Sequence, residues 1–187
     1  MIEKGDKVHY RELLDAHKVF EAKFGNFIYN LAIGAISLAK SVEEKVFPII
    51  VFLLCWNRHW YWENDQGKAA LNDLEGHVKA LYETLRRLKP IIQDLKEVKL
   101  WKADFTKELE RKAQIVFEEM AKVCGYTGAS KALHLLAPNF FVMWDDRIRR
   151  EGYELESHQY VDFLRLMKER IFKALREYAS EKNTGLD

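Results

Sequence analysis

Two kinds of reactive side chain flank an apolar run in residues 125–153, GYTGASKALHLLAPNFFVMWDDRIRREGY: Lys131 on one side, Asp145 and Asp146 on the other. The aspartates directly precede a helical stretch, DRIRREGY, and so stand at a helix N-terminus. There a carboxylate accepts from exposed backbone amides and is held ionised by the helix dipole. Lys131, with Arg147, Arg149 and Arg150, supplies the local basic patch that a near-neutral chain needs in order to meet a polyanion. Each feature also has a plainer reading. An acid before a helix caps it, the lysine and arginines suit a solvated helix face, and His134, set between Leu133 and Leu135, suits a core or boundary position.

The elements that would position these side chains are helical. Thr106 to Val123 places Leu109, Ala113, Val116, Phe117 and Met120 at helical spacing, and Gly125 fits the stop. Thr127 and Gly128 lead into a short helix, Ala129 to about Leu136, making a helix–turn–helix hairpin. Pro138 ends it, and NFFVMW reads as an apolar connector inserted into the core.

These residues resemble the helix-hairpin-helix DNA glycosylase superfamily, the group of endonuclease III and the oxidised-guanine glycosylases. Gly125 and Gly128 stand in the hairpin, Lys131 follows, and Trp144-Asp145-Asp146-Arg147-Ile148 matches the family's aspartate motif with Asp145 in the acid's place. The resemblance spans under thirty residues. It implies a flipped nucleotide in a pocket, with Lys131 attacking the sugar to form a Schiff base and Asp145 stabilising positive charge on the sugar. It also implies phosphate held by the hairpin around Gly125, Thr127, Gly128 and Ser130, with Arg147 nearby. The Gly128 to Lys131 interval is one residue longer than the family's, so Ser130 is the other candidate for the lysine's position. The family's four-cysteine cluster motif, present in some members, is absent here.

The remainder of the chain reads as helical scaffold. Asp6 to Lys23 is amphipathic, with Asp6 as N-cap, and Gly25 and Asn26 break the pattern before a helix from Phe27 to Lys40. In that second helix Ile28, Leu31, Ala32, Ile36 and Leu38 face inward, and Ala32, Gly34, Ala35 and Ala39 keep it slim. Ser41 with Glu44 has capping-box spacing and opens a third helix, apolar on nearly all sides through Trp56 and therefore expected at the centre. Trp56 to Trp62 is an aromatic cluster interleaved with Arg58 and His59, suited to satellite packing or to stacking on bases. Asp65 to Gly67 reads as a turn. Lys68 to about Leu100 is one bent helix or two, with the bend at Pro90. The cations Arg86, Arg87, Lys89, Lys96, Lys99 and Lys102 are set there against Asp94 and Glu97, as a solvated face or a phosphate-facing stripe. Glu154 to Lys182, capped by Ser157, closes over the core, and SEKNTGLD is a tail.

Composition narrows the classes. The 187 residues are 48% hydrophobic and 13% aromatic with a net charge of +1, which excludes a disordered chain and a bulk polyanion binder. Three prolines and nine glycines point to an all-α fold in a single domain over 1–187, with a central apolar helix and a helix-hairpin-helix-like segment near 106–150. Two cysteines, Cys55 and Cys124, read as free core thiols of a reducing cytosol and are too few for a zinc or iron–sulfur site. The start, MIEKGDKVHY, has no signal-peptide pattern, and Val46 to Trp56 is too short to span a membrane. No Walker loop, dinucleotide fingerprint, zinc-protease helix or Glu-x-x-His pair occurs, so no cofactor is expected. Abundant Lys and Glu with few Gln is a bias of heat-adapted proteins. Two functions follow: a DNA-repair-type glycosylase or lyase with DNA as partner, or a non-catalytic helical protein that binds nucleic acid or another protein.

Overall fold

Local capping residues set most of the helix boundaries in the computed structural model, which describes residues 9–22, 24–144 and 157–182. Helix α1 (Tyr10–Glu21) starts after His9, whose N–H donates to the Glu12 carboxylate at 2.8 Å. The expected cap Asp6 lies outside the described residues. Helix α2 (Phe24–Leu38) runs through Gly25 and Asn26, so the break falls just before them. Ser41 caps α3 (Val42–Trp56) by accepting the Glu44 N–H at 3.3 Å, while the Glu44 carboxylate reaches one residue beyond the cap and accepts from Lys40 N–H at 2.7 Å.

Helix α4 (Arg58–Glu63) meets α5 (Asp65–Asn72) at a sharp corner. The expected turn at Asp65 to Gly67 is instead the first turn of α5, capped by Asn64, whose side chain accepts the Gln66 N–H at 2.9 Å. Helix α6 (Leu74–Lys96) passes through Pro90 without ending. Pro90 is exposed, so the carbonyl it leaves unpaired faces water. The long apolar pattern divides instead at Asp73, which accepts the Gly76 N–H at 2.9 Å. A single 3-10 turn, Leu100–Lys102, leads to α7 (Lys107–Leu136), capped by Thr106. Helix α8 (Ser157–Lys182) completes the described chain.

The all-α expectation holds: the described residues form eight α-helices and no strand, around one contiguous apolar core. Helix α6 lies against α3 and α7, α2 covers α3, and α8 closes over α7 and the 3-10 turn. The third helix is not buried all round. It turns Val46, Ile49, Ile50, Phe52 and Leu53 inward but leaves Phe47 73% exposed and Cys55 at the surface, so it forms a wall of the core. Helix α1 buries no side chain, and in α2 the expected inward residues Leu31 and Leu38 face out while Ala32 and Ile36 face in. Gly34 has no neighbour within 4 Å of where a Cβ would stand, so α2 is not slim for the sake of a close approach there. No described helix is long and apolar enough to cross a membrane.

Candidate functional site

Helix α7 is two helical arms joined at Cys124–Gly125, where the backbone leaves helical geometry and Gly125 takes φ +69° and ψ 167°. The predicted glycine stop is therefore present, but the chain resumes its helix at once, and Thr127 to Ser130 lie inside the second arm. Two contacts fix the joint. The Trp60 ring lies against Gly125, with its indole nitrogen 2.6 Å from where a Cβ would be. Asn57, buried between α3 and α4, donates from Nδ2 to the Cys124 carbonyl at 3.2 Å, and Gly128 makes room for that amide. Cys124 itself is buried, and burial pushes its thiol up to about 12, so it is no nucleophile.

Three polar side chains then leave the second arm toward three different parts of the fold. Lys131, only 9% exposed, donates from Nζ to the carbonyl of Trp56, the last residue of α3. Helix-end carbonyls lack intrahelical partners and carry the negative end of the dipole, so a buried ammonium is at home there. His134 donates from Nδ1 to the Phe141 carbonyl at 2.6 Å, and its Nε2, left as the acceptor, takes the Tyr29 hydroxyl proton at 2.9 Å. A carbonyl can only accept, so Nδ1 carries a proton, and burial favours the neutral ring over the imidazolium. Ser130 faces the connector: its Oγ accepts the Trp144 N–H at 2.9 Å and lies 2.9 Å from the Thr127 carbonyl and 3.1 Å from that of Trp144, to one of which its single proton goes.

The connector is held along its length. Leu100 N–H donates to the Asn139 carbonyl at 2.9 Å, Tyr160 donates to that of Val142 at 2.8 Å, and Phe140, Phe141 and Trp144 are fully buried. Asp145, Asp146 and Arg147, with Arg149 and Arg150, lie outside the described residues, as does the expected helix that they open. Trp144, the last residue of the connector, is tied to the residue that precedes Lys131.

The aromatic cluster divides in two. Trp56 joins Phe20, Tyr29 and Phe52, with ring centroids 4.9 to 6.3 Å from its own, beside the carbonyl that Lys131 engages. Trp60 and Tyr61 turn the other way, and Tyr61 shares a hydrogen bond of 2.9 Å with buried His77. Trp62 is 59% exposed. Between α4, the start of α5 and the α7 joint lies a shallow cleft of about 540 Å³. Gly125 and Thr127 line it together with His59, Trp60 and Asn64, whereas Gly128 and Ser130 are buried behind them. Sequence reasoning missed Tyr29 and Asn57. Tyr29 meets His134 across 105 residues, and nothing local announces the pair. Among the described residues no group of three His, Cys, Asp or Glu could hold a metal.

Burial lowers both His134 and His77 below the ordinary value of 6.5, although the Phe141 carbonyl partly offsets this for His134. A histidine kept neutral by the fold binds fewer protons than in the unfolded chain once pH drops past 6.5. Stability is thus full above that point and falls below it, by up to about 1.4 kcal/mol per pH unit for each histidine until its folded-state value is reached. Urea unfolding followed from about pH 7 to about pH 5 measures the loss, and NMR titration assigns it. Ordinary midpoints for both imidazoles would sink this account.

No family model matches the chain, nor does any curated protein or solved structure.

Proposed function

We propose that the chain is a DNA-repair-type glycosylase or lyase that acts on a flipped damaged base or an abasic site, with Lys131 as the amine nucleophile and Asp145 as its carboxylate partner. The observation that carries this reading is the Ser130–Trp144 bridge. Ser130 precedes Lys131, Trp144 precedes Asp145, and the two are joined by a 2.9 Å hydrogen bond in the interior. The bridge joins the chain neighbours of the two residues, which supports the pairing. A flipped base would find stacking partners in the half-buried Tyr29 and Trp56 rings, and the cleft at Gly125 and Thr127 would take a phosphate.

The chemistry follows from the residue types. The Lys131 amine, once it gives up a proton, forms a bond to the sugar C1′ while the glycosidic bond breaks and its electron pair leaves with the base. Opening of the sugar ring then gives the imine. Asp145 offsets the positive charge that develops on the sugar. Because the Trp56 carbonyl favours the ammonium, Lys131 must leave it before attack.

Borohydride trapping on duplexes with an abasic site or a panel of damaged bases tests the assignment. Lys131→Gln keeps a donor for the Trp56 carbonyl but cannot form an imine, and its adduct is expected to fall to background. Asp145→Asn is expected to lose base release. Absence of both adduct and release from the folded wild type, or trapping by Lys131→Gln at the wild-type level, refutes the reading.

The bond from Lys131 to Trp56 favours a second reading, a non-catalytic helical protein in which this lysine closes the end of α3. Lys131→Ala would then cost stability, by about 1–3 kcal/mol for the carbonyl left without its donor, and no chemistry would be lost.

A further inference from the structure

We propose that the cleft between the start of α3 and the adjoining face of α6 is a binding site for phosphate groups. Four lysines, Lys40, Lys45, Lys89 and Lys96, line this one concavity of about 170 Å³, over a floor that includes Ile92 and Leu136. Lys89 and Lys96 are seven residues apart on α6, two helical turns, and so share a face. Lys40 and Lys45 flank the Ser41 cap of α3. Charges from two helices and a loop are thus gathered at one place.

None of the four makes an ion pair among the described residues; Lys18, Lys68, Lys112 and Lys122 each pair with a carboxylate, while other described lysines such as Lys79 and Lys107 are also unpaired but do not line the cleft. Arg86 and Arg87, the neighbouring cations on α6, are likewise paired, with Glu83 and Glu119. Two carboxylates stand beside the cluster: Glu44 accepts the Lys40 backbone N–H, and Glu43, engaged by Tyr82 and Ser41, also feels the Lys89 charge, leaving four cations to two acids. The Lys45 ammonium is disfavoured by burial first, then by Lys96 and Lys89. A bound anion would relieve that repulsion.

The ligand chemistry follows from size and residue type. At about 170 Å³ the cleft is smaller than sites that enclose whole drug-sized ligands, roughly 300–1,000 Å³. It has room for a phosphate group or two, not for a nucleoside. Lysines act on phosphate as mobile point charges without the fixed fork of arginine, so they accept it in several orientations. The phosphate could belong to a nucleic-acid backbone or to a free phosphate compound. This inference does not use Lys131: the cleft opens at the start of α3, whereas the carbonyl that Lys131 engages stands at the end of that helix.

Calorimetry with inorganic pyrophosphate and fluorescence anisotropy with a short undamaged DNA duplex test the site on the full chain. The charge reversal Lys89→Glu with Lys96→Glu changes two exposed positions and is expected to weaken binding about tenfold or more, while Lys89→Arg with Lys96→Arg preserves it. The control Lys18→Glu with Lys122→Glu makes the same charge change away from the cleft and leaves pyrophosphate binding unchanged. Weakened binding of pyrophosphate identifies a site open to free phosphate. Loss confined to the duplex identifies a backbone contact, and either result supports the proposal. Should the reversal unfold the chain, Lys40→Gln with Lys89→Gln serves the same purpose. The proposal is overturned if neither probe binds the wild type, or if the folded double variant binds both within about twofold of it.

Discussion

Gly125→Ala is expected to lower the unfolding free energy by about 3 kcal/mol, combining backbone strain with overpacking of a filled site. Its φ of +69° with ψ of 167° is a conformation that only glycine adopts without strain. A methyl group there would also stand 2.6 Å from the Trp60 indole nitrogen, and that ring cannot retreat without disturbing Tyr61 and His77. Urea denaturation measures the difference. Gly34→Ala is the control: a Cβ meets nothing within 4 Å, the site is inside α2, and the change is expected to stabilise by about 0.5–1 kcal/mol. If Gly125→Ala matches the wild type, α7 does not turn at this residue as described.

Trp144→Ala should cost about 3–5 kcal/mol, the range for removing a large aromatic from a core that only partly collapses. The ring is fully buried and stacks near Tyr160 and Phe163, at centroid distances of 5.5 and 5.8 Å. Tyr160 in turn stacks on Phe117 of α7 at 4.0 Å, so this cluster joins α7, the connector and α8. Trp144→Phe keeps an aromatic ring in the stack and should cost less. Under the proposed function, Trp144→Ala also loosens the anchor one residue before Asp145, so base release should fall further than the loss of folded protein accounts for. Activity that merely tracks the folded fraction would argue against a positioning role for Trp144.

Much of the framework was legible because it rests on interactions between residues three or four positions apart. Ser41 caps α3 as its spacing to Glu44 implies, Thr106 stands where the α7 pattern begins, and Gly125 interrupts α7 where the pattern requires a stop. The apolar connector enters the core as its composition implied. Elsewhere solvent or a distant segment makes the decision. Pro90 does not break α6 because it faces water, while Asp73 breaks the pattern because Gly76 leaves room for its carboxylate. Cys55 sits in an apolar run yet faces out, since the helices packed on α3 leave the stripe with Phe47 and Cys55 uncovered.

The candidate site shows the same division. Sequence alone determined that a lysine, a serine and a buried tryptophan would come near the aspartates in the chain, with helices to carry them. Tertiary structure alone decided that Lys131 would meet the Trp56 carbonyl across 75 residues and that Ser130 would hold Trp144. Spacing likewise put Lys89 and Lys96 on one face, but the crossing of α3 and α6 brought Lys40 and Lys45 to them. The reason is physical. Helical periodicity and capping are set by local hydrogen bonds and side-chain alternation, whereas a buried donor's partner is whichever unpaired acceptor the packed helices bring within reach.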